Sequence, residues 1–116
     1  MIDRAQLLKG LLAGCILKII ARGETYGYQI TSDLNKSGFV ELNEGSVYPV
    51  LIRLEKKGLV IAETKKSSLG PQRKYFRITP EGEAYLMSFA ELWGEISSVV
   101  NGILKGGVIH ELSGKE

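Results

Sequence analysis

Cysteine occurs once in the 116 residues, as Cys15, and histidine once, as His110. A lone cysteine makes no intramolecular disulfide. This excludes the stapled architecture of a small secreted domain and leads us to expect a reducing, cytoplasmic setting. His110 has no second histidine or nearby thiol beside it, so no zinc site is expected. Paired carboxylates in a plausible cleft are absent, as is a glycine-rich loop between strand and helix, so neither catalytic residues nor a cofactor is expected. Long hydrophobic runs are missing too. The most apolar stretch, residues 7–20, reads LLKGLLAGCILKII, which is too short to span a bilayer. Lys9 also interrupts the uncharged segment that a lipoprotein signal would need ahead of Leu12-Ala13-Gly14-Cys15, so the stretch reads as a buried helix and no membrane partner is expected. Net charge is scarce as well, only +2, a weak pointer to nucleic acid when taken over the whole chain.

The remaining composition, 44% hydrophobic and 24% charged, describes one globular domain with a small core that a partner subunit would help to complete. Leu8, Leu11, Leu12, Cys15, Ile16, Ile19 and Ile20 recur at helical spacing, predicting one amphipathic helix over residues 5–22 that stops at Gly23. A shorter helix is expected from Tyr28 to Ser37, with Gly38 as its stop. After an extended connector over Phe39 to Leu42, a third helix begins at an N-cap that is either Asn43 or Ser46 and ends at Gly58. Pro49 fits its first turn better with Ser46 as the cap. Val47, Val50, Leu51 and Leu54 share its inner face.

Residues 60–64 and 72–78 have strand composition and are separated by a Lys-Lys-Ser-Ser-Leu-Gly-Pro loop, which predicts a hairpin with a basic tip. Thr79 then caps a helix whose first residue is Pro80, where a missing N–H costs nothing. That helix runs to about Lys105. Its stripe of Tyr85, Phe89, Leu92, Ile96, Val99 and Ile103, flanked by Leu86, Trp93 and Val100, exceeds what a winged domain of this size can cover, and a second chain is the expected cover.

The expected fold is therefore mainly α with a small β-hairpin: a winged helix-turn-helix over residues 1–79, a C-terminal dimerisation helix over 80–106 and a flexible tail over 107–116. In such a fold the third helix, residues 44–58, enters the major groove, and the wing, residues 60–78, touches the backbone or minor groove. Charge supports this. Residues 53–77 carry eight basic and two acidic side chains. The small net charge is a cancellation between residues 1–80, at +6, and residues 81–116, at −4.

Four short motifs follow one another: Tyr26-Gly27-Tyr28, then Gly45-Ser46-Val47-Tyr48-Pro49-Val50-Leu51, then Arg53-Leu54-Glu55-Lys56-Lys57-Gly58-Leu59, and Gly70-Pro71-Gln72-Arg73-Lys74-Tyr75-Phe76 with Thr79-Pro80-Glu81-Gly82. In this order and spacing the chain resembles the PadR family of bacterial transcriptional regulators, and its length resembles the subgroup with a single C-terminal helix. The resemblance implies a homodimeric repressor on double-stranded DNA with an inverted-repeat operator. It carries DNA contact to Tyr26, Ser46, Tyr48, Pro49, Arg53, Arg73 and Lys74. Physics adds Lys65 and Lys66 at the wing for phosphate neutralisation. Arg53 either forks onto a guanine or pairs with Glu55 or Glu44. Tyr26 and Tyr48 either reach phosphate or pack half-buried.

Some short relatives are understood to bind planar aromatic molecules at the dimer centre, so Leu8, Leu12, Cys15, Phe89, Leu92, Trp93 and Ile96 are candidates for a dimer interface or a site for a small aromatic effector. Trp93 either lines such a slot or only fills the interface. A winged-helix module used for protein contact alone is the competing function, and it has no need of a basic wing.

Overall fold

The computed structural model describes residues 2–66 and 70–106. Helix α1 (Arg4–Leu8) is capped by Asp3, whose carboxylate accepts from the amides of Ala5 and Gln6. Turns over residues 9–11 then precede α2 (Leu12–Ala21). The single helix expected over residues 5–22 is thus two. Gly10 sits at the break, where its high conformational freedom weakens a continuous helix and where the N–H groups of Lys9, Gly10 and Leu11 donate to the carbonyls of Gln6 and Leu8 in place of the α-helical pattern. Arg4 reaches from α1 to Glu41 and lies 5.6 Å from the centre of the Phe39 ring. Glu41's own backbone hydrogen bond, then Arg4, holds its carboxyl below the usual range.

After α2 come β1 (Thr25–Tyr26), α3 (Gly27–Ser37), α4 (Glu44–Lys56), β2 (Val60–Lys66), β3 (Gln72–Ile78) and α5 (Pro80–Lys105). Gly38 ends α3 at φ +129°, a backbone conformation that favours glycine. The segment between α3 and α4, expected to be extended, is a turn. Asn35 closes it by donating from Nδ2 to the carbonyls of Phe39, at 2.8 Å, and Leu42, at 3.0 Å. Asn43 caps α4, and both Ser46 groups, N–H and hydroxyl, donate to its Oδ1. The two candidate caps therefore cooperate, with Asn43 as the cap. Pro49 consequently lies inside α4 rather than in its first turn, and the Gly45 carbonyl lacks its usual helical donor.

The strands form an antiparallel sheet in the order β1-β3-β2. Its third strand, β1, pairs Thr25 with Phe76 and Tyr26 with Tyr75. Strand alternation sends Phe76 and Val60 into the core and Tyr75, Arg77 and Lys65 to the outer face. The core joins Ile16, Leu17 and Ile20 of α2, Ile30 and Leu34 of α3, and Val47, Val50, Leu51 and Leu54 of α4. The inner face expected for α4 is the one that is buried.

Thr79 and Pro80 open α5 as anticipated, and the start of this helix is pinned. Thr79 Oγ1 donates to the Gly58 carbonyl at 2.7 Å and accepts from the Gly82 amide at 3.0 Å. A Cβ on Gly82 would stand 2.1 Å from the Leu59 carbonyl oxygen, so only glycine fits there. Compact packing accordingly continues to Leu86, and a second unit begins at Met87. The sequence boundary at residues 79 and 80 falls earlier because it follows a change of element, whereas the first turns of α5 pack with the winged unit. In the second unit the described residues form one helix. The tail over 107–116 lies outside the described residues.

Candidate nucleic-acid interface

A helix-turn-helix presents its second helix outward when the first helix and the strands cover its apolar side. Here α4 buries Val47, Val50, Leu51 and Leu54 and leaves Gly45, Tyr48, Pro49, Arg53 and Lys56 exposed. Gly45, Pro49, Arg53 and Lys56 follow steps of four, four and three, one ridge of the helix. Arg53 is exposed and enters no ion pair among the described residues, whereas Glu55 takes Lys74 at 3.1 Å. The pairing of Arg53 with Glu55 is thereby removed, and the guanidinium stays available for an external acceptor. Tyr48 is 46% exposed. Ser46 is half-buried, with its hydroxyl engaged in the helix cap.

The wing distributes its charge over two faces. Lys74 lies on the inner side, near the Phe76 ring and bonded to Glu55, so it joins β3 to α4. Lys65, Arg73 and Arg77 lie on the outer face. Arg73 sits 4.7 Å from the centre of the Tyr26 ring, Tyr26 meets Tyr75 edge-on at 5.2 Å, and Lys65 lies 5.4 Å from the centre of Tyr75. Lys65 then ends on Glu24, at 2.6 Å, and the same carboxylate takes Arg77 at 3.6 Å. The hydrogen bond to Glu24 raises the pKa of Lys65, so it remains an ammonium throughout the neutral range. Lys66 closes β2 as an exposed residue. Residues 67–69 of the expected basic tip lie outside the described residues.

Tyr26 is half-buried between Arg73 and Tyr75, with its backbone extended by pairing to β3. Its neighbour Tyr28 is 63% exposed.

A basic hairpin held beside a helix whose outer ridge carries arginine and lysine is the arrangement of a winged-helix DNA reader. The model of the transcriptional regulator PadR-like family matches residues 16–88. The chain belongs to the PadR-like family of transcriptional regulators. A solved PadR-like transcriptional regulator from Bacillus cereus strain ATCC 14579 is 50% identical, covers 87% of this chain and 98% of its own, and superposes with a TM-score of 0.78. A Streptococcus transcriptional regulator is 41% identical, with 84% and 96% of the two chains covered and a TM-score of 0.76. By sequence, a transcriptional regulator of Mycobacterium tuberculosis (strain ATCC 25618 / H37Rv) is 33% identical over 87 residues, 75% of this chain and 79% of the relative. As a PadR-like regulator, the chain is a DNA-binding winged-helix protein concerned with transcription and not an enzyme. Protein contact as the sole function is set aside.

The remaining candidates of this PadR-like chain occupy other helices. Leu8 is half-buried at the end of α1, and Leu12 and Cys15 of α2 pack partly against the core. Burial raises the pKa of the Cys15 thiol, which stays protonated. Phe89 is half-buried, whereas Leu92, Trp93 and Ile96 are each about half exposed. Among the described residues no cluster of histidine, cysteine and carboxylates could hold a metal, and no helix is long and apolar enough to cross a membrane.

Sequence reasoning passed over Glu24, Asn35 and the two-residue strand β1. For Asn35 the following glycine stop was an available signal. For Glu24 there was none, because its partners are more than forty positions away.

Proposed function

We propose that the protein is a homodimeric transcriptional repressor that binds an inverted-repeat operator, with α4 in the major groove and the wing on the backbone or minor groove. The exposed ridge of α4 carries this reading, above all Arg53, which has no carboxylate partner among the described residues. A bidentate arginine on guanine is worth about 1–3 kcal/mol of discrimination. Wing cations supply attraction that is blind to sequence and weakened by salt.

The exposed apolar side chains of α5 support self-association as the second half of the function. Leu92, Trp93, Ile96, Val99 and Ile103 are all close to half exposed or more, and a row of this kind is a surface for another protein rather than for water. A twofold dimer would offer two copies of α4 about 34 Å apart, one turn of DNA. A planar aromatic effector held between two copies of Trp93 would release the DNA by altering that spacing.

The test is a titration of the protein against the DNA upstream of its gene and against a random duplex at several salt concentrations. Tighter binding to the upstream DNA is expected, with Arg53→Ala losing about 10- to 100-fold there and far less on random duplex. Equal affinity for both duplexes in the unaltered protein overturns the repressor reading. Unchanged indole fluorescence across a panel of planar aromatic cations overturns the effector site.

A further inference from the structure

The outer face of the wing holds a cation arrangement that its charge count does not convey. Antiparallel register places Glu24, the residue before β1, alongside Arg77 on β3. Its two carboxylate oxygens are divided between two partners: Oε1 accepts from Lys65 at 2.6 Å, and Oε2 faces Arg77 at 3.6 Å. Lys65 belongs to the far strand, opposite Arg73, and reaches Glu24 by lying back over the Tyr75 ring. It therefore points toward the body of the sheet rather than along the wing toward the tip. One acidic side chain thus engages two of the wing's basic ones, in a pairing that loop and sheet geometry set up before any DNA arrives.

We infer that Glu24 is a positioning carboxylate of the DNA-binding surface, one that withholds Lys65 and Arg77 from phosphate and so restrains binding to DNA of any sequence. The inference rests on the DNA-binding reading above. Phosphate contacts fix affinity without reading bases, so every cation that reaches a phosphate tightens operator and non-operator DNA alike. A cation already paired with a carboxylate must give up that pairing before it can displace a condensed counterion from DNA, and so gains less from phosphate. Exposed ion pairs are weak, so Lys65 remains exchangeable, but each exchange costs Glu24 its nearer partner and leaves only Arg77, at 3.6 Å, to offset its charge against the DNA. Arg53, Lys56 and Lys57, which enter no ion pair among the described residues, lie on or just after α4, where contacts can depend on sequence.

Glu24→Gln tests this, because the amide keeps size and hydrogen bonding while releasing the charge. Affinities of the full chain and the variant are measured for the upstream DNA and for a random duplex of the same length, between about 50 and 200 mM salt. One added phosphate contact steepens the logarithmic salt dependence by about 0.9, roughly a threefold change across that range. The expected result is random-duplex binding at least about threefold tighter at the lowest salt, a slope steeper by about one, and a comparable gain on the upstream DNA. Adding Lys65→Gln to the variant should reverse most of the gain. Unchanged random-duplex affinity and slope overturn the inference. So does a parallel loss on both DNAs, which would mean that Glu24 only holds the wing in place. Absence of salt-dependent binding in the unaltered protein overturns the DNA-binding reading itself, and that arm is judged without the variant.

Discussion

Residues 1–86 and the helix that continues from Met87 are both rich in apolar side chains, yet only the first segment buries them. All thirteen hydrophobic core residues of the described chain lie before residue 77, while Met87, Leu92, Trp93, Ile96, Val99, Val100, Ile103 and Leu104 are exposed. The winged unit surrounds its apolar residues with three helices and a sheet, whereas a single helix has no second layer to bury its stripe. The contrast teaches that the same periodicity can record a core that is complete within one unit or a row that the chain leaves exposed.

Three substitutions probe that contrast. The largest effect within one chain is expected at Gly82→Ala, where the new Cβ would meet the Leu59 carbonyl at 2.1 Å. Backbone must move, and a loss of about 3 kcal/mol in denaturant unfolding is expected, independent of protein concentration. Asn35→Ala should follow. It removes two hydrogen bonds that close the turn between α3 and α4 and should lower stability by about 1–2 kcal/mol, with Asn35→Asp recovering little because a carboxylate cannot donate. Ile96→Ala should be smallest for the isolated chain, within about 0.5 kcal/mol. Under the dimer proposed above, however, the same change lowers the melting temperature most at low protein concentration. A melt of Ile96→Ala that matches the unaltered protein at every concentration removes the proposed cover.

Much of the fold was legible because local rules agree with tertiary packing. Val47, Val50, Leu51 and Leu54 occupy the buried side of α4 that their spacing predicts, and Thr79-Pro80 opens α5 where capping chemistry puts it. The break between α1 and α2 was missed because apolar periodicity runs through it, and periodicity carries no information about whether Gly10 sustains a helix. Strand β1 was missed for a different reason. Two residues are too few for a pattern, and Thr25 and Tyr26 are extended because β3 stands beside them.

The candidate site divides in the same way. Which residues are basic, and that they cluster between Arg53 and Arg77, could be counted. Which cations are already engaged could not. Lys74 and Lys65 read alike in the sequence, but alternation along the strands sends one to Glu55 beneath the sheet and the other to Glu24 across its outer face.

By itself, then, the sequence determined α3, α4, α5 and the two wing strands in outline, the inner face of α4, the basic character of the wing and the family. These depend on interactions between residues a few positions apart or on the residue types themselves. Tertiary structure alone decided the third strand, the requirement for glycine at 82 and which of the wing's cations are held by carboxylates among the described residues. Each of these arises where backbone or charge from distant positions is brought within a few ångströms, a proximity that only the folded chain creates.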